Sequence, residues 1–141
     1  MAGSITATTT KVEGSGGVRK TAVAWTSDAS GAVSGNTVTV APGTIIAVEF
    51  VPGAGGVQPT DLYDVTFTDA DGINVFDDGA GASIGANLSN ATASHKVPFV
   101  GGGTVTYVRR WLHGGAYTPV VAAAGNAKQG SINIYTAAGV I

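Results

Sequence analysis

Short runs of β-branched and apolar residues, separated by turns rich in glycine, proline and aspartate, most limit what this chain can fold into. The strongest apolar run, Thr44–Val51, stops at Pro52 and is too short and too β-branched for a helix, so it predicts a buried strand. Two alternating runs, Leu62–Thr68 and Ile73–Phe76, flank Asp71-Gly72, a pair typical of a tight hairpin turn. No segment keeps a 3.6-residue apolar period. The pattern therefore predicts an all-β fold, an antiparallel β-sandwich or a small β-barrel.

Alternation also predicts which side chains point inward along these runs. Val23 should share a face with Trp25, Val65 with Phe67, Ile73 with Val75, and Ile132 with Ile134. Proline cannot donate to a ladder, so Pro98 and Pro119 indicate edge positions. The further predicted strands are Thr21–Thr26, Asn36–Val40 (ending at Ala41-Pro42-Gly43), Lys96–Val100, Thr104–Val108, Ala116–Ala123 and Ser131–Tyr135.

The first 17 residues differ from the rest of the chain in their sequence pattern. Thr6–Thr10 has β-propensity but builds no sustained apolar face, and the glycine-rich Glu13–Gly17 would be flexible in isolation. The 141 residues are thus predicted to form an extended N-terminal arm over 1–17 and one β-domain over 18–141. Arms of this kind are either disordered or become ordered on a partner, and the second case makes the threonines of the arm candidate contact residues. These are Thr6, Thr8, Thr9 and Thr10.

Composition narrows the class of function. Charged residues make up 11% of the chain, where an ordinary soluble domain has about a quarter. A surface so poor in charge is suited to contact with neighbouring subunits. The net charge of −2 provides no field that would attract nucleic acid, and no stretch reaches the about 20 apolar residues of a membrane span. Neither nucleic acid nor membrane is expected as a partner, and the N-terminus shows no secretory signal, so synthesis in the cytoplasm is expected.

Motifs that could carry chemistry are weak in this chain. Gly81–Gly85 matches the G-x-S-x-G string around Ser83, but no helical segment follows, as a nucleophile elbow requires. His95 and His113 lie in no metal-binding pattern, and the chain has no cysteine. We expect neither an enzyme nor a cofactor. Aspartates cluster between residues 61 and 78 and suggest either calcium or turns; the spacing favours turns, with a cation in the Asp77-Asp78 loop left open.

One short segment combines residue types that are enriched in interface hot spots. Arg109, Arg110 and Trp111 stand together, followed by His113 next to two glycines. Two interpretations remain open: these residues contact a partner, or Trp111 closes one end of the core while the arginines face solvent.

Five turn and strand segments stand out, at residues 24–31, 59–66, 69–72, 85–89 and 124–130. Together they resemble a family of small structural proteins of tailed bacteriophages. The resemblance implies a structural component of the phage particle, made in the host cytoplasm, and does not fix its position in the particle. Our first hypothesis is a capsid decoration protein that binds the major capsid protein on the outer head surface. By analogy with decoration proteins, which often sit on threefold positions, we expect a homotrimer and therefore contacts between copies. The alternatives are a head–tail connector, a tail component, or a host- or carbohydrate-binding module using Trp25, Tyr63, Trp111 and Tyr117.

Overall fold

The all-β prediction is confirmed by the computed structural model, which describes residues 2–77, 83–96, 100–102, 106–108 and 113–138. In these residues it contains no α-helix, only a three-residue 3-10 turn at Gly55–Val57. The strands are β1 (Ser4–Lys11), β2 (Val18–Thr26), β3 (Val38–Pro52), β4 (Asp64–Thr68), β5 (Ser94–Lys96), β6 (Val100–Gly102), β7 (Thr106–Val108), β8 (His113–Ala122) and β9 (Gln129–Ala137).

Seven of these strands form one antiparallel sheet. Its order is β1-β2-β9-β3-β8-β4, with β5 pairing beside β3, while β6 and β7 pair only with each other. The sheet is not closed, since β1 and β4 stand at its two ends. Of the two predicted architectures, sandwich or barrel, the structure has the sandwich-like one.

The sheet becomes two layers because β3 bends. Residues Val38–Val40 pair with β8, and after a register shift Thr44 still pairs with His113 of β8. From Thr44 to Pro52 the strand pairs with β9. Two strands were predicted here, ending and restarting at Ala41–Gly43; that prediction was wrong, because proline and glycine form a bulge inside one long strand. Gly43 has φ +124°, a conformation that other residues rarely adopt. The first layer is therefore β1, β2, β9, β5 and the second half of β3, and the second layer is the first half of β3 with β8 and β4.

The core lies between these layers and is joined by aromatic contacts. Trp25 of β2 packs on Tyr63, with ring centroids 5.6 Å apart. Phe76 contacts Phe50 of β3 at 5.4 Å and Phe67 of β4 at 5.1 Å, so one ring bridges both layers. Each large apolar side chain buried here contributes roughly 1.5–3 kcal/mol. The predicted inward pairs on β2, β4 and β9 are all buried: Val23, Trp25, Val65, Phe67, Ile132 and Ile134.

One inward pair was predicted wrongly. Val75 is buried but Ile73 is 44% exposed. The second hairpin strand is reduced to a single bridge, because the side chain of Asn74 accepts the backbone N–H groups of Phe67 and Phe76 at 3.0 and 3.2 Å. Asn74 thus interrupts regular strand geometry between Ile73 and Val75, so alternation does not place these two side chains on one face.

Pro119 lies in an interior strand, and not in an edge strand as predicted. β8 stands between β3 and β4, and Pro119 is opposite Phe67 of β4. The pairing of β8 with β3 has already ended at Tyr117, so at Pro119 the ladder to β3 is interrupted. The proline therefore occupies a gap in the pairing of an otherwise interior strand. Pro98 lies outside the described residues.

Within the segment predicted as an extended arm, residues 1–17, the structure has strand β1 over Ser4–Lys11 and a turn over residues 13–17. β1 pairs with β2 along its whole length, from Ser4 opposite Thr26 to Lys11 opposite Arg19. It is an end strand of the same sheet. Ile5 packs against the core, whereas every residue from Thr6 to Lys11 is exposed.

The bend in β3 can be tested at Gly114. A Cβ atom on Gly114 would lie 1.9 Å from the carbonyl oxygen of Ala41, so Gly114→Ala forces β8 away from the bend. We expect a loss of about 3 kcal/mol in the free energy of unfolding, near the upper end for overpacking, and a melting temperature lower by about 10 °C. Gly56→Ala is the control, because a Cβ there meets no atom within 4 Å. Equal thermal stability of the two variants would contradict this packing.

Candidate assembly interface

The most distinctive surface of the molecule is the free edge of β1. β1 bonds to β2 on one side, and none of the described residues pairs with its other side. In an antiparallel strand about half of the backbone N–H and C=O groups point to each side. Eight residues, Ser4–Lys11, therefore present a row of unpaired donors and acceptors, which is a template for another strand.

The opposite end of the sheet is covered. Segments that follow β4 in the chain bond to its second edge and its flanks: Val65 N–H donates to Gly85 O at 2.7 Å and Val75 N–H to Phe67 O at 2.8 Å. Leu88 N–H donates to the carbonyl of Tyr63, just before β4, also at 2.8 Å. β5 is only three residues long and carries charge. Among the described strands of the large sheet, only β1 combines length with an open edge.

The side chains of β1 leave this edge accessible. Ser4 to Thr10 includes no charged residue and no proline, the usual devices that keep an edge from pairing. By register, Thr6, Thr8 and Thr10 lie on the outer face of the sheet, opposite Ala24, Ala22 and Lys20. The predicted contact residues Thr6, Thr8 and Thr10 thus form one exposed row.

Thr9 has a different position from the other three threonines. It lies opposite the buried Thr21, with the two hydroxyl oxygens 3.2 Å apart, within hydrogen-bond distance. Thr21 in turn accepts the N–H of Ala41 at 3.1 Å. Thr9 therefore ties β1 to the bend of β3.

A polar cluster on the outer face joins β3, β5 and β9. The Glu49 carboxylate accepts the Asn133 amide at 2.8 Å and the Tyr135 hydroxyl at 3.3 Å, and lies 3.0 Å from His95 Nε2. Burial and then the charge of Glu49 raise the pKa of Tyr135. The cluster holds three strands in register. In the described part of the chain, no three His, Asp or Glu side chains are placed to hold a metal ion.

The basic–aromatic segment Arg109, Arg110 and Trp111 lies outside the described residues. His113 begins β8, where its Nδ1 lies 2.7 Å from Gly114 O and its carbonyl accepts the Tyr117 hydroxyl. Three strands, β2, β9 and β3, separate β8 from β1. The structure therefore does not bring His113 to the β1 threonines.

The serine motif around Ser83 and the aspartate cluster, which suggested chemistry, form hydrogen bonds with backbone N–H groups. Ser83 Oγ accepts Gly85 N–H at 3.3 Å, and a turn, not a helix, follows it. Asp69 accepts the N–H groups of Asp71 and Ile73 at 3.0 and 2.9 Å, which confirms the turn interpretation of these aspartates. Asp61 and Asp64 likewise accept backbone N–H groups, and Asp78 lies outside the described residues.

Three of the four aromatic residues considered for sugar stacking belong to the core. Trp25, Tyr63 and Tyr117 are at most 5% exposed, and burial raises the pKa of Tyr63 to about 12. They cannot present a face to a ligand. The fourth, Trp111, lies outside the described residues.

Sequence reasoning missed a pair of basic residues. Lys11 and Arg19 lie directly opposite each other at the end of the β1–β2 ladder. The sequence signal that could have indicated this pair is the glycine-rich run Glu13–Gly17, which has basic residues on both sides.

No family model matches the chain, and neither does any curated protein or solved structure. The resemblance to bacteriophage structural proteins therefore stays a prediction. No helix in the described residues is long and apolar enough to span a membrane.

Amide hydrogen exchange tests whether the β1 edge is open. In β1, every second amide of Ser4–Lys11 should exchange rapidly, and the alternate amides, bonded to β2, at least about 100-fold more slowly. Val18–Thr26 of β2 is the internal control, because β1 and β9 flank it on both sides and no alternation is expected. Uniform protection along β1 would mean that its outer edge is already covered.

Proposed function

We propose that this chain is a structural protein of a bacteriophage virion that decorates the outer surface of the capsid. It would bind the major capsid protein by accepting a strand at the free edge of β1. Copies grouped in trimers at symmetric positions of the shell would each offer one such edge. The proposal assigns the protein no reaction and no cofactor.

The observation that carries the proposal is the open edge of β1. Strand addition supplies backbone hydrogen bonds without requiring charged or specific side chains, which fits the uncharged stretch from Ser4 to Thr10. Each such contact is modest, but a shell presents many equivalent sites. Many weak contacts of this kind together can stabilise a capsid.

The low charge of the chain supports the same role. With 11% charged residues, much of its surface consists of small and hydroxyl side chains that cost little to desolvate against a neighbour. Among the exposed large apolar side chains are Ile46, Leu62 and Ile73. Such a surface is suited to extended contact over many copies.

The carbohydrate-binding alternative is weakened, because three of its four candidate aromatic residues, Trp25, Tyr63 and Tyr117, are buried and cannot stack on a sugar. A connector or tail position remains as the competing location, because strand addition could operate there as well. Locating the chain in the particle distinguishes capsid decoration from a connector or tail role.

Binding to purified heads that lack the chain tests the proposal. The triple substitution Thr6→Lys, Thr8→Lys and Thr10→Lys places charge along an exposed edge and should weaken cosedimentation with heads about tenfold or more, a loss of about 1.4 kcal/mol. Thermal unfolding should shift only slightly, since these side chains are exposed and only Thr10→Lys stands opposite a like charge, Lys20.

The matched control adds the same three charges elsewhere, at Ser34, Thr39 and Thr92, all exposed. It should bind as the wild type does. Equal binding of the two triple variants would contradict docking through β1. Labelled wild-type chain should decorate the head at many positions, and label confined to the neck or tail would refute capsid decoration.

A further inference from the structure

The β1–β2 hairpin ends in an arrangement of charge that an isolated domain does not explain. Lys11 and Arg19 form the last pair of the ladder, so their side chains leave the sheet on the same face. Like charges placed directly opposite each other are destabilising. The ion pair found among the described residues joins His95 to Glu49. In that part of the chain, neither Lys11 nor Arg19 has a carboxylate partner.

The turn beside them adds further donors. Ser15 Oγ donates to Val12 O at 2.6 Å and accepts Val18 N–H at 3.1 Å, which holds the loop in shape. The N–H groups of Gly14, Gly16 and Gly17 make no hydrogen bond within the described part of the chain. Backbone N–H groups of this kind bind anions when they converge with basic side chains.

Lys11 and Arg19 line a cavity of about 390 Å³. Its lining also includes Gly14, Gly16, Gly17 and Ala138. The cavity also contains Glu13, so its lining holds two positive charges and one negative charge. Lys20, the adjacent basic residue, is on the other face of β2. The cavity therefore has a net positive charge in a protein whose overall charge is −2.

We infer that this cavity is a binding site for a carboxylate, carried by an acidic residue of the strand that adds to β1. The inference rests on the proposed strand addition and names the chemistry of the partner. Lys11 is the last residue of β1 and so lies in line with the open edge. An antiparallel partner, the arrangement of the other pairs in this sheet, would begin next to Lys11 and place an acidic side chain near its own N-terminus within reach.

The ligand is more consistent with a peptide than with a nucleic acid. A single carboxylate can be bound by one guanidinium and one ammonium group, with the guanidinium making two parallel hydrogen bonds. A polyphosphate chain would need an extended basic surface, and Lys11, Arg19 and Lys20 are three of only seven lysines and arginines in the whole chain.

Binding of labelled peptides to the purified full-length chain tests this site. The probe is an eight-residue peptide of alternating threonine and valine with two glutamates at its N-terminal end. The reference peptide has glutamine in place of both glutamates. We expect the acidic peptide to bind about tenfold more tightly than the glutamine peptide, and this advantage to shrink as salt is raised.

Matched variants assign the effect to the cavity. Lys11→Gln and Arg19→Gln should each remove most of the advantage of the acidic peptide, while Lys20→Gln, the same charge change on the opposite face, should leave it within about twofold. An equal effect of Lys20→Gln would show a general charge effect and overturn the site. A single-stranded oligonucleotide that binds more tightly than the acidic peptide would overturn the choice of ligand.

The inference and the proposed function can fail separately. If the two peptides bind equally while the triple lysine variant of β1 still loses binding to heads, the carboxylate site is wrong and strand addition stands. If neither peptide binds and the triple variant binds heads normally, both are wrong.

Discussion

The bend of β3 is the constraint on which the two-layer structure depends, since it lets a single strand belong to both layers. A bulge frees backbone groups from the ladder, and a freed N–H that stays unpaired in the interior is costly. Here Pro42 has no N–H to lose, and the N–H of Ala41 is accepted by the buried hydroxyl of Thr21. Thr21 also contacts Thr9 of β1. The same hydroxyl that satisfies the bend therefore fixes the strand whose edge is open.

Much of the fold could be predicted from the sequence where a strand has one buried face and a clear local alternation. Trp25 on β2 and Ile132 on β9 are examples, since each lies on the predicted inward face. The bend could not be predicted, because proline and glycine at residues 42 and 43 indicate a stop when only local sequence is considered. Its continuation as one strand depends on Gly114, which is distant in sequence and approaches Ala41 closely. Similarly, nothing in the alternation indicated that the Asn74 side chain would replace a ladder partner.

The candidate interface was only partly predictable for the same reason. The threonines of β1 showed β-propensity without an apolar face, which suggested an arm; in the structure they form a strand that is exposed on both faces from Thr6 onward. A sequence can indicate a strand, but whether its second edge is covered depends on which strands stand beside it. The order of the sheet, set by long-range pairing, decides that β1 is an end strand.

The difference between the two ends of the sheet indicates that the open edge of β1 is functional. An uncovered edge is an aggregation hazard, and proteins usually cover it, shorten it or place charge along it. This chain covers β4 with its own later segments and keeps β5 to three residues, yet leaves the eight residues of β1 uncovered and uncharged as far as Lys11. Charge appears only where β1 ends, opposite Arg19. An acidic strand would be attracted to this end of β1, so the charge there favours an acidic partner over a neutral one.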